Sequence, residues 1–372
     1  MTRHTIPLGR ILGIPIGLDY SWFLIFGLIT WTLAVGYYPN EFTGRPPQEY
    51  WIVGAITACM LFVSVLLHEL GHSAVALHYR IPVRSITLLI FGGVAQIATE
   101  PPSAAAEFWI AIAGPVVSFA LATLFRLLQS PVAGVAPLLA LAKYLAYING
   151  VLALFNLIPG FPLDGGRVFR AVVWGVTHSL RRATLMAANV GRFFGFLFIF
   201  SGVWQILGGN AVNGLWIAFI GWFLETAAVA QIQQQMVQGV LAGHTVADAM
   251  SRNYTTVRAD EALQQLVDEH ILGGGRRSFA VTRGEEIAGL LTLQRIKQVP
   301  RPEWSTTTAA RVMIPVSEMK RVRPDTALWA ALEEMDRDGV NQLPVMQDGT
   351  LVGMLTREDL ISFLRTLQEY ER

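Results

Sequence analysis

Hydrophobic positions form long unbroken runs over the first two thirds of the chain and short periodic clusters over the last third. Uncharged stretches run from Tyr20 to Tyr38, from Trp51 to Leu67, from Phe108 to Phe125 and, broken only by Lys143, from Val132 to Leu163. Each comes near or exceeds the roughly 20 residues that a helix needs to cross ~30 Å of hydrocarbon. A fifth stretch, Phe193 to Leu224, would measure about 48 Å as one helix, too long for one crossing. Gly208-Gly209-Asn210 offers a turn within it, which gives six spans, with Arg192 near the start of the fifth and Glu225 inside the sixth. An antiparallel hairpin brings these two charges to similar depth and predicts a buried ion pair.

Between the second and third spans, Ile81 to Glu100 is apolar around Gly92-Gly93 but too short for two more crossings. A re-entrant or surface-lying β-like hairpin fits, and such backbone survives at membrane depth only against protein or a cavity. The last third contains two similar halves, "TVADAMSRNYTTVRADEALQQLVDEH" to "IAGLLTLQRI" and "TAARVMIPVSEMKRVRPDTALWAALEEM" to "LVGMLTREDL". Each reads as a lead, an amphipathic helix, two strands and a closing helix, a pseudo-symmetric α/β pair. The expected division is 1–238 in the membrane, 239–300 and 301–372 in the tail, with "QIQQQMVQG" at 231–239 as the joint.

Charge sharpens this division. Asp, Glu, Lys and Arg make up 15% of the 372 residues, against roughly 25% in soluble proteins. Residues 1–239 hold 12 basic and 8 acidic side chains, and 240–372 hold 16 and 19. A net charge of +1 gives no polyanion signal, so nucleic acid is not an expected partner, and a single cysteine, Cys59, excludes an intrachain disulfide. No small-residue cleavage pattern follows the first apolar run, so it reads as a retained span. Arg3, Arg10, Arg80, Arg84, Arg167, Arg170, Arg181 and Arg182 fall on one side, which predicts that both termini and the tail are cytoplasmic.

The candidate chemistry lies in "LLHELGHS" at the end of the second span. His68 and His72 share a helix face and can aim two imidazoles at one metal, while Glu69 reaches an adjacent water as general base. Ionisable groups clustered in a membrane span are costly and point to function. A catalytic zinc takes three protein ligands, and the best candidate for the third is Asp164 in "NLIPGFPLDGGR", which arrives at the same membrane face from the fourth span. His78 faces away from this pair on an ideal helix and reads as interfacial, His4, His178, His244 and His270 lie outside the spans and lack ligand spacing, and Gly114-Pro115 reads first as a helix-packing site.

With "HELGH" at 68–72, "FGGVAQI" at 91–97, "IAGPVVSF" at 112–119, "NLIPGFPLDGGR" at 156–167 and the tandem tail, the chain resembles the site-2 protease family. These are zinc intramembrane metalloproteases, here of the subgroup with a C-terminal cystathionine-β-synthase (CBS) pair. The resemblance implies a polytopic α-helical membrane protein of six transmembrane helices with a re-entrant β-like hairpin, plus a cytoplasmic α/β tandem CBS domain. It implies one Zn2+ on His68, His72 and Asp164, Glu69 as catalytic base, and Asn156 beside the reacting peptide. Gly92 and Gly93 fall where the family's hairpin pairs with unwound substrate. The implied reaction is regulated intramembrane proteolysis in the inner (plasma) membrane. The implied partners are the lipid bilayer and a membrane-anchored substrate such as an anti-sigma factor, a pro-sigma factor or a signal-peptide remnant. CBS relatives often bind ATP or another adenine nucleotide through a Thr and an Asp three residues later, here Thr356 and Asp359, and the pair can form a homodimer. In the first half Thr292 is followed by Arg295 at the Asp position, so one nucleotide site is expected. The competing class, a CBS-gated transporter, would show repeated halves of spans, and these six show none.

Overall fold

The computed structural model describes residues 5–370 apart from Phe91, Ala98, Gly275 and Glu285, so Arg3, His4 and Phe91 lie outside the described residues. The chain divides into two compact units, Met1–Gln235 and Met236–Arg372.

The first unit opens with two strands that the apolar runs do not announce, β1 (Thr5–Ile11) and β2 (Ile14–Asp19), paired antiparallel. Leu12 and Gly13 join them at φ of 52° and 79°, as the tight turn compatible with strand twist requires. The first apolar run forms α1 (Ser21–Thr32), a π turn at Leu33–Tyr37 and α2 (Tyr38–Glu41). Then come α3 (Pro47–His78), β3 (Val83–Leu89), β4 (Gly92–Ile97), α4 (Ala104–Leu128), α5 (Ala136–Asn156), α6 (Asp164–Thr177), α7 (Leu180–Leu207) and α8 (Ala211–Leu241). Among the described residues, six helical segments are long and apolar enough to cross a membrane: Ser21–Glu41, α3, α4, α5, α7 and α8. Phe200, Trp204, Leu207 and Trp216 point outward from α7 and α8, which suits lipid better than water. Lys143, which interrupts the fourth run, bonds to Glu41 at 3.0 Å, so its charge is paired.

The expected hairpin is one half of a four-stranded sheet ordered β1-β2-β3-β4, in which β2 and β3 run parallel and β3 and β4 antiparallel. Ile14, Ile16 and Ile86 bury against Leu70 of α3. The sheet is thereby fixed to the helical turn that carries His68, Glu69 and His72. That helix also packs tightly on α4, because a Cβ at Gly71 would stand 2.8 Å from Val117 Cγ2.

The fourth apolar run is not helical to its end. α5 stops at Asn156, Pro159 and Pro162 interrupt the helix that would follow, and α6 begins at Asp164. Side chains at Gly165 and Gly166 would collide with the backbone of Leu157 to Phe161, so only glycines let the loop fold back on the start of α6. At the other end of the unit, Gly209 (φ 89°) turns α7 into α8. Gly195 and Gly202 pack on the Gly221 and Gly214 regions of the facing helix. Arg192 Nε reaches Glu225 Oε1 at 3.6 Å, so the expected pair forms, but with side chains 40% and 22% exposed it is not the buried pair expected. The joint at 231–239 is continuous helix within α8.

The second unit contains α9 (Val246–Ala249), β5 (Thr256–Arg258), α10 (Leu263–Leu266) with a π turn at Val267–Leu272, β6 (Ser278–Arg283), β7 (Glu286–Thr292) and α11 (Leu293–Ile296). Its second half contains α12 (Ala309–Val312), β8 (Ile314–Pro315), α13 (Leu328–Asp338), β9 (Gln342–Gln347), β10 (Thr350–Thr356) and α14 (Arg357–Tyr370). The halves exchange their leads. Val246, from the first, packs in the core of Leu328, Leu343 and Leu355, while Ala309, from the second, packs with Leu263, Phe279 and Leu291. β8 completes the sheet β5-β6-β7-β8 across the repeat.

Candidate metal centre

His68 and His72 lie one helical turn apart on α3, both buried, with their Nε2 atoms 3.2 Å apart. Asp164 Oδ2, at the start of α6, is 3.1 Å from His68 Nε2 and 3.2 Å from His72 Nε2. The outer ring nitrogens are also engaged. His72 Nδ1 lies 2.6 Å from the Ile110 carbonyl, which can only accept, so Nδ1 carries the proton and Nε2 keeps its lone pair. His68 Nδ1 meets the Ser118 hydroxyl at 2.9 Å.

A lone pair and a carboxylate oxygen at that separation repel unless a cation lies between them. The donor set fits zinc. Tetrahedral coordination with bonds of ~2.0–2.1 Å places ligand atoms about 3.3 Å apart, close to the separations seen, and imidazole nitrogens with second partners are its usual ligands. Room is left for this by Gly114 on α4, where a Cβ would overlap His72 Nε2 and lie 2.6 Å from His68 Nε2. Gly114-Pro115 is therefore the packing site expected, and what it packs on is the histidine pair.

Glu69 turns toward β4, where a Cβ at Gly93 would stand 3.2 Å from its Oε1. Gly92 and Gly93 thus begin the strand that covers the general-base candidate. Asn156 is the last residue of α5, half-buried, and its side chain makes no hydrogen bond among the described residues. It is not within bonding distance of the three clustered donors.

Several neighbours were not singled out from the sequence. Glu107, fully buried on α4, accepts from Arg170 Nε at 2.7 Å and from Arg170 Nη2, and Arg167 Nε lies 3.9 Å from the same oxygen. Burial pushes the Arg167 guanidinium below its ordinary value, opposed by Glu107 and Asp164. An acid at the mouth of the third apolar run was the available signal for Glu107. Ser118 and Ile110 had none, since a serine or a carbonyl partner is invisible without the helix packing.

In the second unit, Thr292, Arg295, Lys297, Thr356 and Asp359 line a cavity of about 1140 Å³ between the halves. Asp359 Oδ2 accepts from Thr356 N (2.9 Å) and Oγ1 (2.7 Å), and Asp359 N donates back to Oγ1 (3.1 Å). Arg295, the counterpart of Asp359, donates only its backbone N–H to Thr292 Oγ1 at 3.3 Å. Glu261, Glu269 and His270 also bring donor atoms within 4.8 Å of one another. There Glu269 already binds Gln265 at 3.1 Å and Glu261 accepts from Arg258 N at 3.3 Å, which are structural roles.

A membrane-type helical unit with a His-His-Asp cluster beside a glutamate, followed by an α/β repeat, defines the class of membrane-embedded metallopeptidases. Comparison with known proteins agrees. Peptidase family M50 matches residues 56–138 and 128–200, and the CBS domain matches residues 309–366. A Mycobacterium tuberculosis protein named as a zinc metalloprotease, Rip3, is 37% identical over 96% of this chain and 92% of its own. A Synechocystis protein named in the same way, sll0528, is 35% identical over 98% and 96%. The solved site-2 protease from Methanocaldococcus jannaschii is 30% identical, covering 62% of this chain and 95% of its own with a TM-score of 0.43. The chain belongs to peptidase family M50, the site-2 protease family, and carries a C-terminal CBS domain. It is a zinc metalloprotease and a multi-pass membrane protein, of a family that acts on membrane-anchored substrates.

Proposed function

We propose that this enzyme hydrolyses a peptide bond within or near a transmembrane segment of a membrane-anchored regulatory protein. Anti-sigma factors, pro-sigma factors and signal-peptide remnants are the candidate substrates. The observation that carries the reading is the convergence of His68 Nε2, His72 Nε2 and Asp164 Oδ2 within 3.2 Å of one another. These three residues would hold Zn2+. When bound, zinc supplies Lewis acidity, making a water acidic near neutral pH and polarising a carbonyl.

The chain's own residues do the rest. Glu69 takes the proton of the attacking water and delivers it to the leaving amine, its side chain packed against Gly93 of β4. Ile110 and Ser118 fix the two rings so that their Nε2 atoms stay aimed at one point. Asn156, with an unengaged amide at the end of α5, binds the substrate backbone near the scissile bond. A helical substrate keeps its carbonyls bonded, so it must unwind before attack. The outer edge of β4 pairs with no strand among the described residues, which supports strand addition beside Gly92 and Gly93, with the sheet re-entrant at membrane depth.

The same reading places both termini and the tail in the cytoplasm of a cell whose inner (plasma) membrane holds the spans. It divides the chain into a protease domain at 1–238 and CBS motifs at 239–300 and 301–372. One adenine nucleotide, such as ATP, binds at Thr356 and Asp359 and modulates cleavage, and the CBS pair forms a homodimer. The test is purification in detergent, zinc quantification, and cleavage of membrane-anchored peptides by wild type and Glu69→Gln, with and without ATP. Zinc near one per chain with cleavage lost only in the variant is expected. Absent zinc, or cleavage by Glu69→Gln equal to wild type, overturns the site assignment.

A further inference from the structure

Beside the cluster, two guanidinium groups face one carboxylate. Arg170 is committed to Glu107 through two donors, its side chain is 9% exposed, and its guanidinium lies 5.3 Å from the Phe161 ring centre. Arg167 only approaches the same oxygen, at 3.9 Å, and its side chain is 23% exposed. Arg170 makes both hydrogen bonds to this carboxylate, whereas Arg167 makes none among the described residues, so its donors remain open to another acceptor. This residue lines a cavity of about 320 Å³ with Ile97, Thr99, Phe161 and Pro162. Glu100, exposed on the same rim, forms no ion pair among the described residues.

The position of this cation relates it to the reaction. Arg167 follows Asp164 by three residues and so shares its face of α6. β4 leads from Gly93, against Glu69, to Ile97 at the edge of the cavity, about 13 Å at 3.3 Å per residue. A chain lying along the outer edge of β4 would pass from the general base to the guanidinium within about four residues.

We propose that Arg167 is a specificity-determining residue that receives a carboxylate of the bound substrate, an acidic side chain within about four residues of the scissile bond. This rests on the strand-addition reading above. A half-buried guanidinium presents a planar fork of donors that matches a carboxylate in two-point geometry, which a neutral amide cannot reproduce. The new C-terminal carboxylate of the product has the same chemistry, and the experiment separates the two sources.

Peptides from a cleaved membrane segment are prepared with Asp or Asn at each of the four positions on either side of the scissile bond. Wild type is assayed for kcat/KM, and the Glu69→Gln enzyme for Kd by fluorescence anisotropy, so that binding is read without cleavage. At one position Asp is expected to be favoured over Asn roughly tenfold in both measurements. The preference falls toward one in Arg167→Gln and returns in part in Arg167→Lys, with zinc content measured alongside. Cleavage with no Asp preference at any position, or a preference that survives Arg167→Gln, overturns the proposal and leaves the protease reading intact. An Arg167-dependent preference only for a product peptide ending in a free acid over its C-terminal amide assigns the cation to product instead. Failure to cleave or bind any peptide overturns the underlying reading together with this one.

Discussion

Gly114 of α4 faces His72 of α3 so closely that a side-chain carbon there would overlap Nε2 and stand 2.6 Å from His68 Nε2. The helix pair is set at the spacing that leaves the histidines room to converge. Gly114→Ala therefore displaces both rings. Zinc per purified chain and cleavage should each fall by more than about tenfold, as for loss of ligand geometry, with the protein still folded by circular dichroism. Full zinc occupancy in this variant would contradict the packing.

Ser118→Ala removes the hydroxyl that meets His68 Nδ1 at 2.9 Å. Loss of a second partner of this kind costs about 10- to 100-fold in metal affinity or activity. Competition with a chelator measures it. Unchanged zinc affinity would mean that the ring is oriented by packing alone.

Gly93→Ala separates base from metal, because the added carbon would lie 2.5 Å from Glu69 Cγ and not against the histidines. The expected outcome is normal zinc content with kcat reduced roughly 10²-fold, the usual cost of misplacing a reacting group by about 1 Å.

Glu107→Gln leaves the Arg170 and Arg167 cations without their buried counter-charge. Breaking a buried pair from one side destabilises by about 3 kcal/mol or more, whereas replacing both members with apolar residues often does not. Denaturant unfolding in detergent should show a marked loss for Glu107→Gln and a partial recovery for Glu107→Leu combined with Arg170→Met.

In the tail, isothermal titration with ATP should find one nucleotide per chain, abolished by Asp359→Ala. Arg295→Asp restores the carboxylate that the first half lacks opposite Thr292 and is expected to raise the stoichiometry to two. No binding by wild type would remove the nucleotide from the mechanism.

Much of this was legible in the chain itself. Six spans, the turn at Gly208 to Asn210, the Arg192 and Glu225 pair and the tail repeat follow from run length and spacing, because bilayer thickness and helical rise are fixed lengths. The i, i+4 histidines follow from the same periodicity. β1 and β2 were not legible, since short strands beside a long apolar run have no period strong enough to stand out. Nor was the exchange of Val246 and Ala309 between the two tail cores, which sequence similarity between the halves conceals.

The sequence by itself determined which side chains are available for chemistry, in what order, and that they lie in apolar surroundings where an idle charge would be costly. Only the tertiary structure decided that Asp164 meets the histidines across 92 and 96 residues of chain, and that Gly114 is what leaves them room. It also decided that Ile110 fixes the His72 tautomer and that Arg170, not Arg167, makes the hydrogen bonds to Glu107. Spacing along a helix is a local property of the backbone. Contact between helices depends on how closely their surfaces approach, and one missing Cβ settles that.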